Sequence, residues 1–258
     1  MPRHFIEKHW DYSPNARYYR FRPNYPGKAI DLLIAYTGAR RTRGYRVADI
    51  GAGTGNLSVL LLDRGLKVAA IEPNDEMRKI GMERTRRSKR IEWIKAGGLD
   101  TTLGPKSADW VTFGSSFNVM DRARALKEAH RVLRTGGYFT CMWNHRDLSD
   151  PVQKTAEDTI VEFVPGYDRG VRREDQRRVI EDHKALFGDI FYFELDFCVR
   201  RTIGDYINAW RSVKNKYWDL SAPMGRELFR KIALKMKERL PGRFDLRYTM
   251  RAWTARKA

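Results

Sequence analysis

Cysteine is scarce in this chain: two residues, Cys141 and Cys198, among 258. Both lie in apolar runs, Phe139-Thr140-Cys141-Met142-Trp143 and Phe197-Cys198-Val199. That excludes a disulfide-stapled scaffold, and both thiols are expected to be buried in a protein of a reducing compartment. No Cys/His set has zinc spacing. Long apolar runs are also missing: no stretch approaches the roughly 18 residues that a bilayer-spanning helix needs. Met1 to Trp10 is polar and carries no apolar leader core, so a soluble, cytoplasmic, non-membrane protein is the expectation. No lysine follows Gly55, which excludes the phosphate-cradling G-x-x-x-x-G-K-[ST] loop. There are no internal repeats and no low-complexity block.

Acidic charge is short. Fifty Lys and Arg face 32 Asp and Glu, a formal net charge of +18. Such a balance suits nucleic acid, an anionic surface or an acidic substrate. The basic clusters, Arg40 to Arg43, Arg84 to Arg90, Arg172 to Arg178 and Arg226 to Arg239, spread over the polar faces of most predicted helices. A generally solvated basic surface is the favoured reading, and RNA stays open as a less favoured partner.

The stretch from Val47 to Met77 organises the rest. An apolar run, Tyr45 to Ile50, leads into Gly51-Ala52-Gly53-Thr54-Gly55. A helical segment carrying Leu57, Val59, Leu60, Leu61 and Leu62 follows, then a second apolar run, Lys67 to Ile71, ending on Glu72. Strand, glycine turn, helix, strand and acid describe a βαβ unit for an adenosine-containing cofactor. The dinucleotide pattern G-x-G-x-x-G would need a third glycine where Asn56 stands. Asp49, two residues before the turn, would repel a pyrophosphate and suits a cofactor with an ammonium group.

The β/α alternation continues. A helix is predicted from Gly27 to Ala39, strands at Ile91–Lys95 and Ala108–Phe113, and a helix at Arg122–Leu133. A tight turn, Arg134-Thr135-Gly136-Gly137, precedes a fifth strand at Tyr138–Trp143. Asn74 reads as the N-cap of the helix after the second strand. Residues 1–26 are rich in aromatics and arginine without helical or strand period, so a loop with at most one short helix is expected there. After Pro151 helices are predicted near 152–164, 172–187, 203–213 and 224–240, with strands at Ile190–Val199 and Phe244–Trp253.

On Asp49-x-Gly51-x-Gly53-x-Gly55 and Glu72-Pro73-Asn74-x-x-Met77 the sequence resembles the class I S-adenosylmethionine (SAM)-dependent methyltransferases, in their small-molecule branch. Leu126-Lys127-Glu128-Ala129-x-Arg131-Val132-Leu133-Arg134-Thr135-Gly136-Gly137 is a second match, and the resemblance spans roughly residues 16–147. It implies an α/β fold: a Rossmann-like seven-stranded mixed sheet, five parallel strands plus a C-terminal antiparallel hairpin, with helices on both faces and a small helical cap. The expected organisation is a lid loop and first helix at 1–44, a SAM-binding core at 45–147, and cap insertions with edge strands at 148–258 within the same domain.

The resemblance further implies that Asp49 holds the methionine ammonium. Gly51, Ala52, Gly53 and Gly55 would pass under the cofactor, Glu72 would take the ribose hydroxyls, Met77 would pack on the adenine, and Pro73 is counted with the cofactor-binding residues. Ser115, Ser116 and Phe117 end strand four, on the ligand side of such sheets. The usual adenine-edge acid is not cleanly present, and Leu99 or Asp100 stands in that region. Tyr18 and Arg22 belong to the segment that closes over SAM in relatives. Arg20 and Arg22 suit a carboxylate or phosphate on the acceptor, and the aromatic content suits a planar one.

A general base is optional for displacement at a sulfonium methyl. His145 is the first candidate, since imidazole titrates near neutrality, with Asp121 and Tyr18 behind it. His4 and His9 stand nearer the chain start and are weaker choices. No Asn/Asp-Pro-Pro-Tyr follows strand four, which speaks against the amino-nitrogen methylases that use it. The expected activity is methyl transfer to O, N or C of a small-molecule acceptor, by a monomer or homodimer. RNA methylation, and non-methylating use of SAM in cyclisation or aminoalkyl transfer, are the alternatives.

Overall fold

The computed structural model describes residues 11–40, 44–168, 174–215 and 217–258. His4, His9 and parts of the first and third basic clusters lie outside them.

Seven strands form one sheet in the order β3-β2-β1-β4-β5-β7-β6. They are β1 Arg46–Ile50, β2 Lys67–Ile71, β3 Ile91–Ile94, β4 Ala108–Gly114, β5 Leu133–Arg146, β6 Phe187–Thr202 and β7 Arg243–Lys257. The first five run parallel through the pairs β2–β3, β1–β2, β1–β4 and β4–β5. The last two make the antiparallel hairpin, so the predicted mixed sheet is the observed one. Strand order reverses between β1 and β4, which is where open α/β sheets bind ligands, outside the carboxyl ends of the strands.

The helices are α1 Gly27–Tyr36, α2 Asn56–Leu62, α3 Asp75–Thr85, α4 Arg122–Val132, α5 Pro151–Phe163, α6 Gln176–Glu181, α7 Ile203–Arg211 and α8 Pro223–Arg239. Their starts follow the capping rules. Asn74 accepts from the Met77 amide at 3.0 Å, as expected, and Asp121 accepts from the Arg124 amide. Asp150 accepts from the amides of Val152 and Gln153 ahead of Pro151. A 3-10 helix, Ser13–Phe21, is the short helix expected in the N-terminal segment.

Three expectations are corrected. Cys141 is buried, but Cys198 is exposed. On the edge strand β6 its neighbours Phe197 and Val199 pack inward, and the period of two turns Cys198 to the opposite face. The helix predicted over 172–187 is present only as α6. Beyond it the chain tightens into i→i+3 bonds, with the amide of His183 on Ile180 O and that of Lys184 on Glu181 O. Phe187 then enters the core and opens β6. The turn Arg134–Gly137 is absorbed in β5 as an irregularity: Ala108 pairs with Leu133 but Trp110 with Tyr138. Gly136, at φ +73°, allows that bulge.

The chain divides into two compact units. One comprises Met1–Pro23, His145–Gly170 and Asp196–Thr249; the other comprises Asn24–Asn144, Val171–Leu195 and Met250–Ala258. In the larger unit the core is built on Ala48, Ile50, Val111, Phe113, Phe139 and Trp253, with Leu126 and Val132 of α4 against it. In the smaller unit Ile160, Tyr206, Trp210, Phe229, Ile232 and Met236 form a separate core. There the N-terminal 3-10 helix is tied to α7: Asn15 donates to Arg211 O at 2.7 Å, and Arg22 donates to Ser212 O and Oγ at 2.8 Å.

Candidate functional site

The larger unit brings Asp49, Gly51, Ala52, Gly53, Gly55, Glu72, Pro73, Met77, Leu99, Asp100, Ser115, Ser116 and Phe117 into one body, together with Asp121. Tyr18, Arg20, Arg22 and His145 belong to the smaller unit.

Asp49 sits in the middle of the sheet at 1% exposure. Its Oδ2 accepts from the Ser58 hydroxyl at 2.6 Å and its Oδ1 from the Thr112 hydroxyl at 3.1 Å. Burial pushes its carboxyl up to about 6, against the pull of those two hydroxyls. Among the described residues no Lys or Arg forms an ion pair with it. Without a cation, Asp49 is a buried acid placed where ionisation is costly.

The glycine turn follows. Gly51, at φ +67°, lies so close to Ser116 that an added Cβ would stand 2.5 Å from the serine Cβ. Ser116 in turn donates to Ile50 O at 2.5 Å, locking the end of β4 to the end of β1. Glu72, at the tip of β2, accepts from the Gly53 amide at 2.8 Å on Oε2 and from the Asn74 amide at 2.9 Å on Oε1. Each oxygen keeps a further lone pair for a ligand. Burial raises this carboxyl, and the two amides oppose the rise. Met77 lies against the turn: a Cβ on Gly53 would meet its Cε at 3.4 Å.

Around these residues stand several that the sequence did not single out. Ser58 and Thr112 hold Asp49 from two elements. Arg84, counted with the solvated basic surface, is exposed as a residue, yet its guanidinium donates to Thr54 O at 2.7 Å and Asn56 Oδ1 at 2.6 Å, clamping the turn from α3. Burial lowers its affinity for a proton. Tyr25 shares a hydrogen bond of 2.9 Å with Ser115 Oγ. Ser115 itself is held at φ +60°, an uncommon conformation for a residue with a side chain, and one often found where ligands are clamped.

The other expected site residues take diverse places. Phe117 is fully buried, with its ring 5.3 Å from Phe113 and 5.2 Å from Phe139, a core position. Leu99 is half-buried against the same core, Pro73 is exposed, and Asp100 is exposed and caps its own loop at the Thr102 amide. Asp121 is exposed as the cap of α4. Tyr18 stacks beneath Arg17 and Arg211. Arg22 lies 4.0 Å over the Tyr19 ring, with Nε and one amino group already bonded to Ser212. Arg20 is exposed over Phe21. His145 is half-buried near the end of β5.

Among known families, the profile described as "Methyltransferase domain" matches residues 48–141. That segment is similar to methyltransferase domains, and the chain has the Rossmann-like mixed sheet that the sequence led us to expect. It is 38% identical over 130 residues to an uncharacterized methyltransferase of Mycobacterium tuberculosis, covering 50% of each chain. It is 36% identical over 124 residues to the ubiquinone/menaquinone biosynthesis C-methyltransferase UbiE of Methylobacterium nodulans, covering 45% of this chain and 49% of that protein. The chain thus spans about half the length of the curated relatives it matches. Among solved structures it resembles the YcgJ protein of Bacillus subtilis, at a TM-score of 0.57 and 14% identity over 90% of this chain and 100% of that one; this likeness is one of fold. Among the described residues no helix is long and apolar enough to cross a membrane.

Proposed function

We propose that the chain is a SAM-dependent methyltransferase acting on a small-molecule acceptor, with SAM held at the β1/β4 switch point. The observation that carries this is Asp49: a fully buried carboxylate beside the glycine turn, raised to about 6 and held by the Ser58 and Thr112 hydroxyls and the Ser58 amide, with no cation among the described residues paired to it. A ligand ammonium, direct or through a water, would favour its charged form. Glu72 adds two oxygens with lone pairs to spare, the geometry for a pair of vicinal hydroxyls. The donor set therefore suits SAM, which has an ammonium and a ribose diol and no phosphate.

When bound, SAM supplies a methyl group already activated on a sulfonium, with a neutral leaving group. The protein's work is then to bind, align and exclude water. Asp49 would hold the ammonium of the cofactor and Glu72 its ribose hydroxyls. Gly51 and Gly53, both in the left-handed region with Ser116 and Met77 beside them, leave a bare backbone floor. Arg84 and Ser116 keep that floor from moving. His145 remains our candidate for removing a proton from an acceptor hydroxyl or ammonium, and Asp121 is bound up in capping α4.

Product analysis tests the chemistry. Turnover should yield S-adenosylhomocysteine; methylthioadenosine would mean aminoalkyl transfer and would overturn the reading. Loss of turnover on raising salt, with tight RNA binding at low salt, would redirect the acceptor to RNA.

A further inference from the structure

The smaller unit contains a second group of buried polar atoms that neither Asp49 nor Glu72 touches. Arg146, at the end of β5, lies with its guanidinium carbon 3.7 Å from the centre of the Trp210 ring. Tyr206 meets Trp210 edge-on at 6.3 Å, and Tyr167 packs between Trp210 and Trp218, stacked on the latter at 5.9 Å. Tyr206, Trp210 and Trp218 are at 1%, 0% and 2% exposure. The Arg146 side chain keeps 18% and forms the open edge.

This cluster has a surplus of donors. Arg146 Nε, the Tyr206 hydroxyl and the indole nitrogens of Trp210 and Trp218 are buried and make no hydrogen bond among the described residues. The Trp210 indole is turned toward the Tyr206 phenol and acts on it as a weak donor, without full hydrogen-bond geometry. Glu157 balances the arginine's charge, but its carboxylate stands 3.9 Å away, beyond hydrogen-bond reach. Burial and the nearby Glu157 carboxylate push the Tyr206 phenol up, and the Arg146 cation pulls against them. Burying polar groups without partners costs free energy for each one.

We infer that this cluster binds the carboxylate of a small molecule with a planar body. Unmade donor bonds around a guanidinium suit the lone pairs of a carboxylate. A planar guanidinium favours a planar oxyanion, and the indole and phenol rings around it offer flat apolar contact. A dianionic phosphate fits less well. With Arg146 already balanced by Glu157, it would leave two uncompensated charges where a carboxylate leaves one.

The test is a titration of the full chain with benzoate, followed through the indole N–H resonances of Trp210 and Trp218, each assigned with its Trp→Phe variant. Both resonances should move downfield on saturation, while the neutral isostere benzamide should leave them in place. Arg146→Met should weaken benzoate at least about tenfold, the scale of a hydrogen bond to a charged group. Since Arg146→Met strands Glu157, Tyr206→Phe serves as a second, milder variant, with a smaller loss expected. Equal shifts with benzamide, tighter binding of inorganic phosphate than of benzoate, or indole resonances indifferent to benzoate would each overturn the inference. S-adenosylhomocysteine titrated into the same samples separates the two proposals. Its binding should survive Arg146→Met, and benzoate binding without it would leave this site standing.

Discussion

Asp49 on β1 and Thr112 on β4 are direct register partners across the parallel pairing, and the Thr112 hydroxyl donates to Asp49 Oδ1 at 3.1 Å. The contact places an acid inside the sheet, at the seam where strand order reverses, with no cation among the described residues paired to it. It makes cofactor binding and stability two readouts of one carboxyl.

Asp49→Asn should separate them. The folded-state value of about 6 lies about two units above the ordinary 3.8, worth about 3 kcal/mol. A raised acid binds more protons folded than unfolded. The penalty is therefore absent below about pH 4, grows as pH rises toward 6, and is constant above. Denaturant titrations across pH 4–7 should show wild-type stability falling relative to Asp49→Asn by up to about 3 kcal/mol. Cofactor affinity should run the other way, rising through pH 6 in wild type and staying low and flat in Asp49→Asn.

Gly51→Ala should destabilise by about 1–3 kcal/mol, from left-handed strain and the Ser116 contact. Ser116→Gly removes the clash and leaves the strain but also loses the Ile50 bond, so in thermal melts the cost of Gly51→Ala should be smaller in a Ser116→Gly background than in wild type. No cost in that background would mean that the backbone conformation costs nothing there.

Arg84→Met should cost cofactor affinity more than stability, because the residue clamps Thr54 O and Asn56 in the turn and contributes little core. Calorimetric binding beside a melting curve checks this, with a loss of about tenfold expected. A Tm drop with unchanged affinity would contradict it.

Arg22→Ala should act chiefly on stability, by about 1.5–3 kcal/mol, since its guanidinium bonds Ser212 and stacks on Tyr19. The sequence put Arg22 beside the cofactor or an acceptor anion. A variant with an intact melting curve but a raised acceptor KM would restore that role.

Much of the fold was legible because it rests on local patterns: glycine spacing, apolar runs of strand length, and the Asn74 cap. Asp49 and Glu72 were legible through their spacing from the turn. Partners brought in from elsewhere were not. Nothing in the sequence says that Ser58 and Thr112 converge on Asp49, or that Arg84, one of many arginines, turns inward. Cys198 misled because three apolar residues in a row do not reveal which face of an edge strand each takes. Residues 182–186 have helical composition, yet packing Phe187 into the core ends the helix early. Arg146 escaped notice because its significance lies in aromatic residues some sixty positions away.

The central claim is most directly tested by isothermal titration of S-adenosylhomocysteine into wild type, Asp49→Asn and Glu72→Gln at pH 7.5. The account predicts one site per chain, weakened at least about tenfold in each variant whose melt shows it folded. No binding heat with folded wild type, or equal affinity in all three, would contradict it.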